Sequence, residues 1–194
     1  MDIYLSVDIE TLGTNLDDAP VTEVSYIQFG IDDVFLTLLD HDKNKIDLLT
    51  IPDSVVVDYK TLEWRLRNAP AIQGDVDHKA CMLRTHEVIK QSNYVISRGH
   101  FDIPILYSNL NGYFHNFAPV QYYKFIDART LNRIPKVKAA VPANPKPHDS
   151  LYDALHNVIV FAEAYDLVIN ADACPHLQSL LNTFVAQPTQ SPQG

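Results

Sequence analysis

Ile3, Leu5, Val7 and Ile9 alternate with Tyr4, Ser6, Asp8 and Glu10 at the start of the chain. Successive side chains of a strand point to opposite faces, so this period of two sets the aliphatic residues on one face and the polar set on the other. A chain built this way must close a core over the aliphatic face. Asp8 and Glu10 then share the opposite face near the C-terminal end of the strand. Gly13, Thr14 and Asn15 end the run, and residues 21–30 and 34–39, rich in β-branched and aromatic side chains, read as two further strands. Ile31, Asp32 and Asp33 read as the hairpin turn between them, and such short links imply an antiparallel meander.

Beyond a polar stretch at 40–45, residues 61–68 read as a short helix capped by Thr61 and stopped before Pro70. A longer helix is expected over about 76–91, a short strand over 94–97, a helix over 103–110 and a strand over 122–126. Strands alternating with helices add parallel crossovers to the meander. Residues 134–147 hold four prolines and three lysines, a composition suited to a mobile loop. Leu151, Ala154, Leu155, Val158, Ile159 and Ala162 recur at helical spacing over 150–167, and 177–185 fits a last helix. With 194 residues, 46% of them hydrophobic, one domain is expected over 1–184, with a disordered tail over 185–194.

Acidic residues outnumber basic ones by 24 to 15, and the formal charge of −9 argues against a broad basic face for long duplex nucleic acid. A small phosphate site served by cations stays open. Cys81 and Cys174 lie far apart without CxxC spacing, which excludes a disulfide framework and a cysteine-rich zinc site and fits a reducing compartment. No run approaches the roughly 18 apolar residues that span a bilayer, and no cationic stretch precedes the first apolar one. A soluble cytoplasmic protein with no membrane partner is expected.

Three separate segments bring carboxylates to places where a core has no use for them. Asp8 and Glu10 stand about 6.5–7 Å apart along one strand face, within reach of one cation, although a solvated strand end would look the same. Asp102, in RGHFDIPIL, sits where a strand gives way to a helix, and a helix N-cap is the plainer account of it taken alone. In HDSLYDAL, His148 stands at the edge of the proline-rich loop and Asp153 in the first turn of the helix behind it. Carboxylate oxygens select hard cations such as magnesium or manganese, and two such ions about 3.5–4 Å apart clamp the attacking and leaving oxygens of a phosphoryl displacement. A neutral histidine, with an unperturbed pKa of about 6.5, accepts the proton of the attacking water.

The order DxE, then an Asp after a mid-chain apolar run, then His-x4-Asp opening a late helix, resembles the DEDDh class of 3′–5′ exonucleases. DIETLGT, TLEWRLRNAP, RGHFDIPIL, IDART and HDSLYDAL are similar to segments of small phage-type and bacterial stand-alone exonucleases and exoribonucleases, in family order from residue 1 to about 167. The resemblance implies an α/β, RNase H-like fold: a mixed five-stranded sheet of order 3-2-1-4-5 flanked by helices. It implies that Asp8, Glu10 and Asp153 hold one ion, that Asp8 bridges to a second, that Asp102 supports the second, and that His148 is the general base. The implied cofactors are two Mg2+ or Mn2+ ions.

In the family, Glu10 and the backbone at Thr11 and Leu12 also meet the 3′-terminal nucleotide. Thr14 stands where relatives often carry an apolar wedge between bases, and Leu12 is expected to take that part. Trp64 and Phe101 are candidate base contacts and Arg98 a candidate phosphate contact; Arg129 and the loop lysines 136, 138 and 146 are secondary. The implied function is metal-dependent 3′–5′ exonucleolytic hydrolysis of single-stranded or short nucleic acid, RNA slightly ahead of DNA, releasing nucleoside 5′-monophosphates in a bacterial or phage-infected cell. The resemblance admits a homodimer. The alternative is a non-catalytic nucleic-acid-binding or regulatory module that keeps the fold; loss of one of the five residues would mark it, and all five are present.

Overall fold

The computed structural model describes residues 1–53, 55–68, 73–99, 101–113 and 121–185. Strand β1 (Ile3–Thr11) lies at the centre of the sheet and is buried on both faces from Leu5 onward. It pairs antiparallel with β2 (Val21–Asp32), which turns back into β3 (Phe35–Lys45). On its other side it pairs parallel with β4 (Tyr94–Ser97), which in turn pairs parallel with β5 (Phe125–Asp127).

A sixth strand, β6 (Val168–Asn170), adds parallel to the Phe35 end of β3, giving the order β5-β4-β1-β2-β3-β6. The expected order 3-2-1-4-5 is therefore present within a six-stranded sheet rather than a five-stranded one. The extra strand escapes the sequence pattern because Leu167 continues the apolar spacing of the helix before it. That helix, α6 (Ser150–Ala164), in fact stops at Ala164, and Asp166, at φ 56°, turns the chain toward the sheet edge.

Other boundaries shift for local reasons. The polar stretch 40–45 belongs to β3, because Asp40 to Lys45 pair with Gln28 to Glu23 of β2 through backbone groups that are indifferent to side-chain polarity. The hairpin turn is Asp33 and Val34, with Asp33 at the positive φ of 51° that tight two-residue turns require. Helix α1 (Tyr59–Asn68) starts before Thr61: the Asp58 carboxylate accepts from the Lys60 and Thr61 amides and the Thr61 hydroxyl, so Asp58 is the cap.

Helix α2 (His78–Gln91) is capped by Asp77, and α3 (Asp102–Asn111) follows β4. Residues Tyr122–Lys124 form a 3-10 turn ahead of β5, and α4 (Ala128–Leu131) leaves it. The expected mobile loop contains a helix, α5 (Pro135–Ala140): Pro135 sits in its first turn, where it is tolerated, and Val137 is fully buried. Helix α7 (Pro175–Val185) includes Val185, and the remainder of the expected disordered tail lies outside the described residues.

Two apolar layers sandwich the sheet. Leu5, Val7 and Ile9 of β1 pack with Val24 and Tyr26 of β2 against Cys81, Met82 and Ile89 of α2 and Ile105 and Leu106 of α3. On the other face, Ile27 and Phe29 of β2 and Leu36 and Leu38 of β3 pack against Leu155, Val158 and Phe161 of α6. Small residues let α6 lie directly on the central strand: Ala154 is fully buried, and the Ser6 hydroxyl donates to its carbonyl at 2.8 Å. Ser6→Leu should therefore lift α6 from β1 and lower the unfolding free energy by about 1–3 kcal/mol, read from urea titration. A loss below about 0.5 kcal/mol would contradict this close packing.

Candidate active site

The C-terminal ends of the parallel strands β1 and β4 face the same edge of the sheet, where open α/β sheets place their ligands. Asp8 and Glu10 stand at the end of β1 on the α6 side. A register shift follows directly: Thr11 opposes Val21 rather than Thr22, a bulge that bends the strand just after Glu10. Asp153 enters from the first turn of α6, whose N-cap Asp149 accepts from the Tyr152 amide. The fold thus brings Asp8, Glu10 and Asp153, each buried, together so that one carboxylate oxygen of each lies within 4.8 Å of the others.

Asp102 is the first residue of α3, and its neighbour Phe101 occupies the cap position without a side-chain cap bond. The helix-cap account of Asp102 therefore fails. Its Oδ2 is buried and has no hydrogen-bond partner among the described residues.

Burial and mutual repulsion push protons onto this cluster. Glu10 is raised to about 8, chiefly by burial and also by Asp153, Glu23 and Asp102, against the pull of Arg65. Asp102 is raised to about 7 by burial and by Asp153, against Arg129 and Arg98. Asp8 is raised well above the usual carboxylate range by burial and by Asp102, Asp153 and Glu10. Crowded acids of raised proton affinity, an orphaned carboxylate oxygen and an all-oxygen donor set fit a hard divalent cation.

His148 stands beside the cluster with an exposed side chain. Its backbone adopts φ 68°, its amide donates to Asp153 Oδ2 at 2.8 Å, and its ring meets Trp64 edge-on with centroids 4.7 Å apart. Trp64, on α1, is 41% exposed and so has a free face as well as this contact. The Arg98 side chain is 46% exposed, and its Nη1 lies 3.8 Å from Asp153 Oδ1. Phe101 is half-buried against the α2–α3 side of the core.

Thr11 and Leu12 are less available than expected. The Thr11 hydroxyl donates to the Gly13 carbonyl; the Leu12 amide donates to Pro20 and its carbonyl accepts from Asp58. A wedge between bases needs an exposed apolar side chain, and Leu12 is 4% exposed. Thr14 is exposed.

Four residues of the site carried no assignment from sequence. Arg65, on α1, is buried and its Nη1 donates to Glu10 Oε2 at 2.6 Å. Nothing in TLEWRLRN separates Arg65 from Arg67, which is exposed and pairs with Glu63 one helical turn away. Glu23 and Ser25 sit beneath the start of α6, where the Ser150 amide and hydroxyl both donate to Glu23 Oε1 and the two serine hydroxyls lie 2.6 Å apart. A signal existed here, since Glu23 and Ser25 interrupt the face that Val21, Ile27 and Phe29 otherwise make apolar. Asn144 donates from Nδ2 to Asp153 Oδ1 at 2.9 Å, out of a segment whose prolines suggest only a loop.

The 3'-5' exoribonuclease Rv2179c-like domain matches residues 3–165. No curated protein sequence matches the chain. Among solved structures, a zinc-bound Escherichia coli exonuclease I–single-stranded DNA complex is similar at TM-score 0.63 and 15% identity, over 94% of this chain and 43% of that one. Exonuclease I from Methylocaldum szegediense is similar at TM-score 0.59 and 14% identity, over 94% and 43%. The chain spans less than half the length of these exonucleases, and at such identity the likeness is one of fold. The family match, over most of the chain, goes further: the protein belongs to the Rv2179c-like 3'-5' exoribonuclease domain family, an exonuclease domain of the DEDD, RNase H-like type.

Proposed function

We propose that this domain removes nucleotides from the 3′ end of single-stranded or short nucleic acid, RNA ahead of DNA, releasing nucleoside 5′-monophosphates. The observation that carries the reading is the convergence of Asp8, Glu10 and Asp153 within 4.8 Å, beside His148 and the orphaned Asp102 oxygen. Asp8, Glu10 and Asp153 would hold one Mg2+ or Mn2+ ion, and Asp8 with Asp102 a second. Bound there, such ions supply charge neutralisation at the phosphate and acidify the attacking water.

The chain's own groups do the rest. The exposed His148 ring accepts the water proton, and Trp64 limits its swing. Arg98, half in solvent beside Asp153, offers a planar donor pair to a phosphate oxygen. Phe101 and the free face of Trp64 are available to bases. Preference for RNA is supported by the family's description, and preference for single strands by the bound DNA of the exonuclease I complex. Two buried, unpaired cysteines accord with the cytoplasm of a bacterial or phage-infected cell. Among the described residues no helix is long and apolar enough to cross a membrane.

The direct test is a time course on RNA and DNA oligonucleotides of one sequence, labelled at either end, with Mg2+ or Mn2+. Stepwise shortening from the 3′ end is expected, stopped by a 3′-phosphate and lost at least ~10³-fold in Asp8→Asn. Equal cleavage of blocked and free ends, or an Asp8→Asn rate within tenfold of wild type, would refute the reading.

His148→Ala should slow hydrolysis about 10²–10⁴-fold while cation binding is kept. A variant rate within threefold of wild type at pH 8 would remove His148 as the base.

The raised acids also fix a pH dependence. Unfolded carboxylates titrate at about 4, whereas folded Glu10 and Asp102 titrate at about 8 and about 7. Between those limits the folded state binds more protons, so stability falls as pH rises. The cation-free melting temperature should drop between pH 5.5 and about pH 8, and Mn2+ should restore it most at the alkaline end. Scanning calorimetry with and without chelator reads both effects; a cation-free melting temperature that climbs over this range would contradict the buried cluster.

A further inference from the structure

We infer that Asn144 is a positioning residue that fixes Asp153 as a cation ligand and ties it to the placement of His148; this rests on the roles proposed for those two residues. Both Asp153 oxygens receive a donor from the same short segment. Asn144 Nδ2 donates to Oδ1 at 2.9 Å and the His148 amide to Oδ2 at 2.8 Å. The other end of the Asn144 side chain is also engaged: its Oδ1 accepts from the Lys146 amide at 2.9 Å, which leaves the NH2 facing Asp153. The Asp149 amide closes the segment on the Lys146 carbonyl at 3.3 Å.

A carboxylate gripped at both oxygens cannot rotate about its terminal torsion, so its remaining lone pairs keep one direction, toward Asp8 and Glu10. The same grip acts on the base. His148 holds φ 68°, a conformation that residues other than glycine adopt at a cost and keep only where the surroundings determine it. Its amide bond to Asp153 is one such determinant, and the Asn144 bond keeps the acceptor in place. Ligand and base are therefore set together, by an amide that touches neither substrate nor cation. Outer partners of this kind are commonly worth 10–100-fold in metal affinity or activity.

The test compares the full chain with Asn144→Ala and Asn144→Asp. Aspartate keeps the shape of asparagine and turns the donor facing Asp153 into an acceptor, so shape and hydrogen bonding make opposite orderings. Asn144 is only half-buried, and circular dichroism and thermal melting check that both variants fold. Calorimetric titration with Mn2+ should show about tenfold weaker binding to Asn144→Ala. Its kcat at saturating Mn2+ should fall about 10–100-fold with KM within about threefold, and Asn144→Asp should be no faster. Mn2+ affinity and kcat of Asn144→Ala within twofold of wild type, or Asn144→Asp faster than Asn144→Ala, would overturn the inference. A wild-type protein that binds no Mn2+ would instead refute the cation site itself, and this inference with it.

Discussion

Carboxylates crowded out of water repel one another with little screening, and that repulsion governs the functional end of this domain. Asp8, Glu10, Asp102 and Asp153 are each less than a tenth exposed. Three arginines offset them: Arg65 bonded to Glu10, Arg98 beside Asp153, and Arg129 acting on Asp102. These do not suffice, since Glu10 and Asp102 still draw protons at neutral pH. A corner of this kind weakens the protein, and on the proposed reading a bound cation would offset that cost.

The topology makes the crowding sustainable. Asp102 and Asp153 lie in the first turns of α3 and α6, where unpaired backbone amides favour negative charge. Two helix N-termini thus point at the edge where β1 and β4 end. The start of α6 is pinned from below by Ser150 on Glu23, while Lys43 bridges Glu23 and Asp149 at 3.2 and 2.7 Å. Glu23 opposes Glu10 across the β1–β2 ladder, so one cross-strand pair serves both the cluster and the helix that completes it. Displacement of α6 on the sheet would move Asp153 and His148 together.

How much of this could be read beforehand follows from where each signal resides. The β1 alternation, the β2–β3 hairpin, β4 and the opening of α6 rest on local patterns, and the structure has them; Asp8, Glu10 and Asp153 come together because two of them share a strand face and the third opens a helix. Signals carried by tertiary contact were silent. The polar half of β3 forms because β2 offers it a backbone ladder, and β6 because an edge was open. The buried face of Ser6, Asp8 and Glu10 was expected to lie opposite a core, not beneath α6. Arg65 and Asn144 are ordinary residues in their own segments, and acquire meaning only from the carboxylates they reach across 55 and 9 positions of chain.

Charge places one further constraint. A domain of formal charge −9 repels a polyanion at long range, so attraction must be local. Gly99 shows how closely it is arranged. Its φ of +94° disfavours any other residue, and a Cβ there would stand 3.3 Å from Arg129 Cζ. The Arg129 side chain therefore lies across the chain just after β4, its Nη2 donating to the Arg98 carbonyl at 3.3 Å. Two guanidinium groups are held beside acids that would otherwise only repel phosphate. On the proposed reading the field in this corner turns favourable to phosphate only with cations bound there, and it would then suit a strand terminus better than a long duplex. On the same reading, selection for an end over an interior position would begin in electrostatics, before any group recognised the terminal hydroxyl.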